Sequence, residues 1–243
     1  NKESKFIIEG YRILTLAIEC RAKLDYVFIN EDFEKKQEHK EFLEILKKKD
    51  IRVYKTTNKI FEDLTDTENT QGIIGVVKFK QRTLEENLTD DNRFVLILDR
   101  IQDPGNMGTI IRTADAVGAH GVIIPKRRSV HITSVVAKAS AGAVEYVPVC
   151  KVTNIANTIK QLKKEGLWIA AADMDGGVFY EQDLTGPLAL VIGSEGFGVS
   201  RIVKQNCDFV VKMPMIGNVS SLNASVAGGI LLYEIFRQRM KKD

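Results

Sequence analysis

Histidine, cysteine and proline are scarce: the 243 residues include 3 His, 3 Cys and 5 Pro. Cys20, Cys150 and Cys207 are far apart and show no C-x-x-C spacing, which argues against a disulfide framework and predicts reduced thiols. His39, His120 and His131 have no H-E-x-x-H or carboxylate cluster around them, so metal-dependent hydrolysis has no ligand set and no metal is expected. Nor does any apolar run approach the roughly 20 residues that a membrane span needs. The opening Asn1-Lys2-Glu3-Ser4-Lys5 holds no apolar leader segment, and the expectation is a cytoplasmic protein without membrane contact.

Nucleotide signatures are missing as well. G-x-G-x-x-G occurs nowhere between a strand and a helix, which disfavours a dinucleotide enzyme. The glycines from Gly193 to Gly198 imitate part of a P-loop, but Val199-Ser200 follow where a Lys and a Ser or Thr are required. Ser194 lacks the glycine two positions earlier that a nucleophile elbow needs.

What remains is ordinary globular material, 44% hydrophobic and 28% charged, long enough to bury a core without staples. The net charge of +3 is unevenly spread. Up to residue 92 there are 17 basic and 19 acidic residues; beyond it, 18 and 13. A basic C-terminal half is compatible with a polyanionic partner but also with a solvated surface.

Apolar clusters alternate with helix-period stretches, the pattern of an α/β protein with largely parallel strands. Strands are expected at 6–8, 26–29, 51–54 and 73–79, with helices at 10–22 and 37–49. The polar stretch 81–92 reads as a linker, separating a domain at 1–80 from one at 93–243. In the second, strands are expected at 94–98, 122–124, 146–149, 167–171, 188–192 and 209–212. Helices are expected near 107–118, 131–140, 154–165, 199–206 and 222–240.

Three loops sit between a strand end and a helix, where α/β sheets gather ligands. The first, 99–108, contains Pro104-Gly105 as a turn, with Asn106 as the N-cap of the next helix. Arg112 falls about 200° around that helix from Ile110 and Ala114, so it points away from the core; on its own it reads as a solvated arginine. In the second, 191–200, three glycines surround Glu195, which suits either close approach to a ligand or a tight turn beside a helix N-terminus. The third, 213–225, is rich in Ser and Asn. Ser220 or Ser221 would cap the last helix, but one cap does not need three serines and two asparagines.

Together these loops resemble the SpoU/TrmH family of S-adenosylmethionine-dependent RNA ribose 2′-O-methyltransferases, in the SPOUT superfamily. The matching motifs are Asn106 with Arg112 and Gly118-Ala119, then 192–198, then Met213-Pro214-Met215 through Ser221-Leu222-Asn223-Ala224-Ser225. Residues 1–80 resemble the ribosomal-protein-like substrate-binding domain of that family, opening with Phe6-Ile7-Ile8-Glu9-Gly10.

The resemblance implies a parallel sheet threaded into a trefoil knot, a homodimer, S-adenosylmethionine as cofactor and RNA, most simply ribosomal RNA, as partner. Catalytic roles fall on Asn106, Arg112, Glu195, Ser221 and Asn223. Cofactor contacts fall on Gly193, Met213, Ile216 and Leu222, with Ala172 as a further wall. Transfer RNA as substrate and a non-catalytic RNA-binding or ribosome-assembly protein on the same fold are the alternatives.

Overall fold

The computed structural model describes residues 4–19, 22–65, 71–79, 93–218 and 221–240. They fall into two compact units. The expected linker at 81–92 lies outside the described residues.

The first unit contains β1 (Ser4–Glu9), α1 (Tyr11–Glu19), β2 (Lys23–Ile29), α2 (Gln37–Lys48), β3 (Arg52–Lys55), α3 (Asn58–Asp63) and β4 (Ile73–Phe79). Its sheet runs β1-β4-β2-β3, with β2 and β3 parallel and β4 antiparallel to both β1 and β2. Alternation along β2 sends Val27 and Ile29 into a core with Leu14, Phe33, Phe42, Leu46 and Phe61. It leaves Tyr26 and Phe28 on the opposite face. His39 is a core residue: its Nδ1 lies 2.7 Å from the Phe33 carbonyl oxygen, and its ring stacks on Phe33. The short α3 escaped sequence reading because six residues show no period; Thr57 caps it and Phe61 anchors it.

In the second unit come β5 (Phe94–Asp99), α4 (Pro104–Ala116), β6 (Gly121–Pro125), α5 (Ser134–Ala139), β7 (Val149–Val152) and α6 (Ile155–Lys164). They are followed by β8 (Trp168–Val178), β9 (Leu188–Gly193), α7 (Arg201–Asn206), β10 (Phe209–Lys212) and α8 (Ala224–Met240). The strand order is β10-β8-β9-β5-β6-β7 and every ladder is parallel. β5 and β9, both buried throughout, are the continuous apolar runs expected of strands covered on both faces. Strands β6 and β7 build outward from β5, while β9, β8 and β10 lie on its other side. Such a reversal opens a crevice at the carboxyl ends of the strands.

Several boundaries differ from expectation. The strand expected at 146–149 begins at Val149, because Ala143–Glu145 form a short 3-10 turn that leaves Tyr146 exposed. The first loop's helix, α4, starts earlier, at Pro104. Asp103, rather than Asn106, is its N-cap, with Oδ1 accepting from the Asn106 N–H at 2.6 Å and Pro104 at the first helical position. The last helix starts at Ala224, and its cap is Asn223 rather than Ser221; Ser220 lies outside the described residues. Asn223 Oδ1 accepts from Ser225 N at 2.9 Å and from Val226 N at 3.3 Å.

Within α4, Gly108 packs directly on α5. A Cβ there would stand 2.5 Å from Ala139 Cβ and 2.8 Å from the Val136 carbonyl oxygen. Alanine gains up to about 1 kcal/mol of helix propensity over glycine, but overpacking against backbone costs about 1–3 kcal/mol. Gly108→Ala is therefore expected to lower the urea midpoint; a higher midpoint would mean that α5 shifts freely.

Candidate functional site

The register of β5 against β9 assembles the site. Asp99 and Gly193 are partners in that ladder, so the loops leaving the two strands start side by side. Asp99 is buried, and its Oδ2 accepts from the Ser200 N–H at 2.7 Å, tying the far end of the second loop to the end of β5. Between these anchors the second loop doubles back: Ser194 and Gly198 form an isolated bridge, and Gly198 N donates to the Ser194 carbonyl at 2.8 Å. Gly193 must be glycine, since a Cβ would fall well inside contact distance of the Gly198 backbone. Gly198 itself takes φ of +59°.

This loop presents Glu195, Gly196 and Phe197 at its tip. The Asn106 side-chain amide donates to Glu195 Oε1, joining the first turn of α4 to the second loop. Arg100, after β5, holds a left-handed φ of +64° and lies 3.5 Å from Asp99 Oδ1. A strained residue beside a crevice marks a segment shaped by its surroundings.

A second wall comes from β8. Its ladder with β10 pairs Ala171 with Val210 and then Gly177 with Val211, so residues 172–176 bulge out of the sheet. Lys204 Nζ holds the bulge to α7, 3.0 Å from Asp173 Oδ2 and 2.6 Å from Asp175 Oδ1. The hydrogen bond from Lys204 keeps the Asp175 carboxyl below its ordinary range. Residues from the third loop and the start of α8 complete a cavity of about 410 Å³, within the range of small-molecule sites.

Ala172, Gly193, Met213 and Leu222 line this cavity, as do Glu195 and Ser221. Asn106 reaches it through Glu195. Ile216 is fully exposed and does not line the cavity. Arg112 is exposed on the outer side of α4, and Asn223 spends its carbonyl on the α8 cap; neither is among the lining residues.

Sequence reasoning missed Ser194, whose buried Oγ has no hydrogen-bond partner although the residue lines the cavity. From sequence alone its hydroxyl is considered only as a nucleophile. Asp173 and Met174 were missed too, because a bulge inside a strand leaves no periodic signal. Among the described residues, no three His, Cys, Asp or Glu side chains gather as a metal site, and no helix is long and apolar enough to cross a membrane. His120 is a structural residue, its Nδ1 accepting from the Phe94 N–H at 3.0 Å.

The crevice at the switch point, the glycine-cornered loop and the bulged wall define an α/β protein that binds a small molecule at its strand ends. Comparison gives the class its family. Residues 93–233 match the SpoU rRNA Methylase family, and residues 7–83 match the RNA 2′-O ribose methyltransferase substrate-binding family. A Bacillus subtilis protein, YacO, assigned to the TrmH family tRNA/rRNA methyltransferases, is 44% identical over 211 residues, covering 84% of each chain. Among solved structures, the SpoU methyltransferase AviRb from Streptomyces viridochromogenes, in complex with AdoMet, superposes with a TM-score of 0.78 at 26% identity, covering 98% of this chain and 91% of its own. A crystal structure of an RNA 2′-O ribose methyltransferase gives 0.74 at 26% identity, covering 98% and 90%. The chain belongs to the SpoU methylase family, RNA methyltransferases of the TrmH type.

At the end of α7, which carries Lys204, burial first and the nearby Asp208 second push the Cys207 thiol up to about 12. Its sulfur donates to the Val203 carbonyl at 3.3 Å. The folded value lies above the unfolded value of about 9.0, so folding favours the protonated thiol and stability falls as pH rises from about 9 towards 12. Cys207→Ser should flatten that decline in a pH series of denaturant midpoints; an unchanged slope would show the thiol is solvated.

Proposed function

We propose that the chain transfers a methyl group from S-adenosylmethionine to a ribose 2′-hydroxyl of ribosomal RNA, acting as a homodimer of two-domain subunits. The observation that carries this reading is the cavity at the strand ends, where Ala172, Gly193, Glu195, Met213, Ser221 and Leu222 meet in the part of the chain that matches the SpoU rRNA Methylase family. The bound S-adenosylmethionine supplies an electrophilic methyl on a sulfonium. Gly193 and Leu222 would hold it, with Met213 and Ala172 as apolar walls. The knotted threading of the third loop belongs to the same proposal.

The chain's own residues then position the acceptor. Arg112, exposed and outside the cavity, suits the RNA rather than the cofactor: a guanidinium forks onto a phosphate beside the target ribose and stabilises charge developing on the attacking oxygen. Asn106 and Glu195, linked by their hydrogen bond, fix the rim of the cavity against α4. Ser221 lines the same rim, and Asn223 sets the start of α8 beside it. Holding acceptor oxygen and methyl in line supplies much of the catalysis, since well-oriented reactants gain about 7–11 kcal/mol.

Further phosphate contacts are offered by Lys126, Arg127 and Arg128, exposed on a turn after β6 at the same end of the sheet. Ser129 Oγ and Val130 N both donate to the Ile101 carbonyl, at 2.8 and 2.9 Å, and fix this turn against the first loop. Ribosomal RNA is favoured by the match of residues 93–233 to the SpoU rRNA Methylase family, and an RNA substrate by the substrate-binding match at 7–83.

The test is transfer of labelled methyl to unmodified ribosomal and transfer RNA, followed by digestion to nucleosides. A labelled 2′-O-methyl nucleoside from ribosomal RNA is expected. Label in transfer RNA alone changes the substrate, and cofactor binding without label in either supports a non-catalytic role. Arg112→Ala should lower turnover at least about 100-fold, the loss typical of one preorganised charge-stabilising donor, with cofactor affinity unchanged. Ser194→Ala, which removes a buried hydroxyl without a partner, should leave the denaturant midpoint unchanged or higher; a lower midpoint would mean that the hydroxyl is bonded in the folded protein.

A further inference from the structure

On the face of the first unit's sheet opposite the Val27 and Ile29 core, the strand register sorts the residues into three rows, exposed at Lys5, Ile7, Lys23, Arg52 and Tyr54 and closed at the centre, where Val76 and Ile74 are buried. Lys5, Lys78 and Lys23 stand in line across β1, β4 and β2. Ile7, Val76, Tyr26 and Arg52 form the next row across all four strands, and Glu9, Ile74, Phe28 and Tyr54 the third. At the β2–β3 side the rings of Tyr26, Phe28 and Tyr54 meet as a triad, with centroids 5.5, 5.8 and 5.5 Å apart. Tyr54 is 43% exposed and Ile7 47%, while Tyr26 and Phe28 are half-buried.

Cross-strand aromatic pairing alone would stabilise a sheet. It does not call for a border of cations. Lys5, Lys23, Lys78 and Arg52 outnumber Asp25 and Glu9 on this face, and Asp25 lies between two of them, 2.5 Å from Lys5 Nζ and 3.2 Å from Lys78 Nζ. The Lys5 ammonium also lies 5.7 Å from the centre of the Tyr26 ring. The exposed Tyr54 ring and the half-buried Tyr26 ring beside an excess of positive charge suit a ligand with flat apolar faces and a regularly charged backbone.

We propose that this face is a stacking platform for unpaired RNA nucleotides: Tyr54 and Tyr26 take bases against their rings, and Arg52 with the lysine row follows the phosphates. Paired RNA cannot use it, because its bases are already stacked on one another. The inference rests on the reading that the chain acts on RNA, and assigns the first unit the recognition of a single-stranded segment of the substrate.

The test uses the full chain and a short single-stranded RNA carrying 2-aminopurine, whose fluorescence drops on stacking, with the matching duplex as control. Base stacking on one ring is worth enough that Tyr54→Ala should weaken single-strand binding about tenfold or more. It should also abolish the fluorescence drop. Tyr54→Phe should retain both, and duplex binding should be the same for all three proteins. Arg52→Glu, on the neighbouring row, should weaken binding and reduce its salt dependence without altering a ring, a second route should Tyr54→Ala fail to fold. In methyl transfer, Tyr54→Ala should raise KM for RNA and leave kcat unchanged. Equal single-strand affinity and KM in wild type and Tyr54→Ala would overturn the platform while leaving the methyltransferase reading intact. A wild type that methylates no RNA fails that reading instead. If Tyr54→Ala changes the oligomeric state and leaves RNA binding untouched, the face is a protein interface and the proposal is overturned.

Discussion

The parallel pairing of β5 with β9, closed by the Asp99 carboxylate, organises the second unit. That ladder brings together segments more than ninety residues apart and sets Asp99 level with Gly193. Asp99 then accepts from the Ser200 amide, so the second loop is held at both ends. Losing this donor would leave a buried carboxylate oxygen without its hydrogen bond, and the loop's geometry is correspondingly fixed. The Asn106 contact to Glu195 and the start of α7 after Ser200 both depend on it.

Much of this was legible beforehand because it follows from short-range chemistry. The apolar runs of β5 and β9, the amphipathic stripe of α2 and the three glycine-bearing loops each carry a local signal, and the loops gave the family. The caps were misread for a simple reason. Several Asn, Ser and Asp side chains near a helix start can each serve, and only the backbone turn decides among Asp103 and Asn106, or Ser221 and Asn223. The bulge at 172–176 was invisible because it arises from β10 arriving alongside β8, a long-range event with no mark in the local pattern.

The candidate residues separated in an informative way. Gly193, Met213, Leu222 and Ala172 share one cavity, whereas Ile216 and Arg112 face solvent. A short linear motif records that residues belong to one site without recording whether each faces the small molecule or what lies beyond it.

The β5–β9 pairing also sets a timetable. During synthesis the chain emerges in order, and residues 94–99 leave the ribosome long before their partners at 188–193. At about 5–20 residues per second, β5 waits roughly 5–20 seconds without the neighbour on that side. Its other partner, β6, arrives within a few tens of residues, so the nascent unit can grow outward through β6 and β7 first. The ligand-binding half of the sheet can join only after β9 is made, which places the assembly of the cavity among the last events in the life of the new chain.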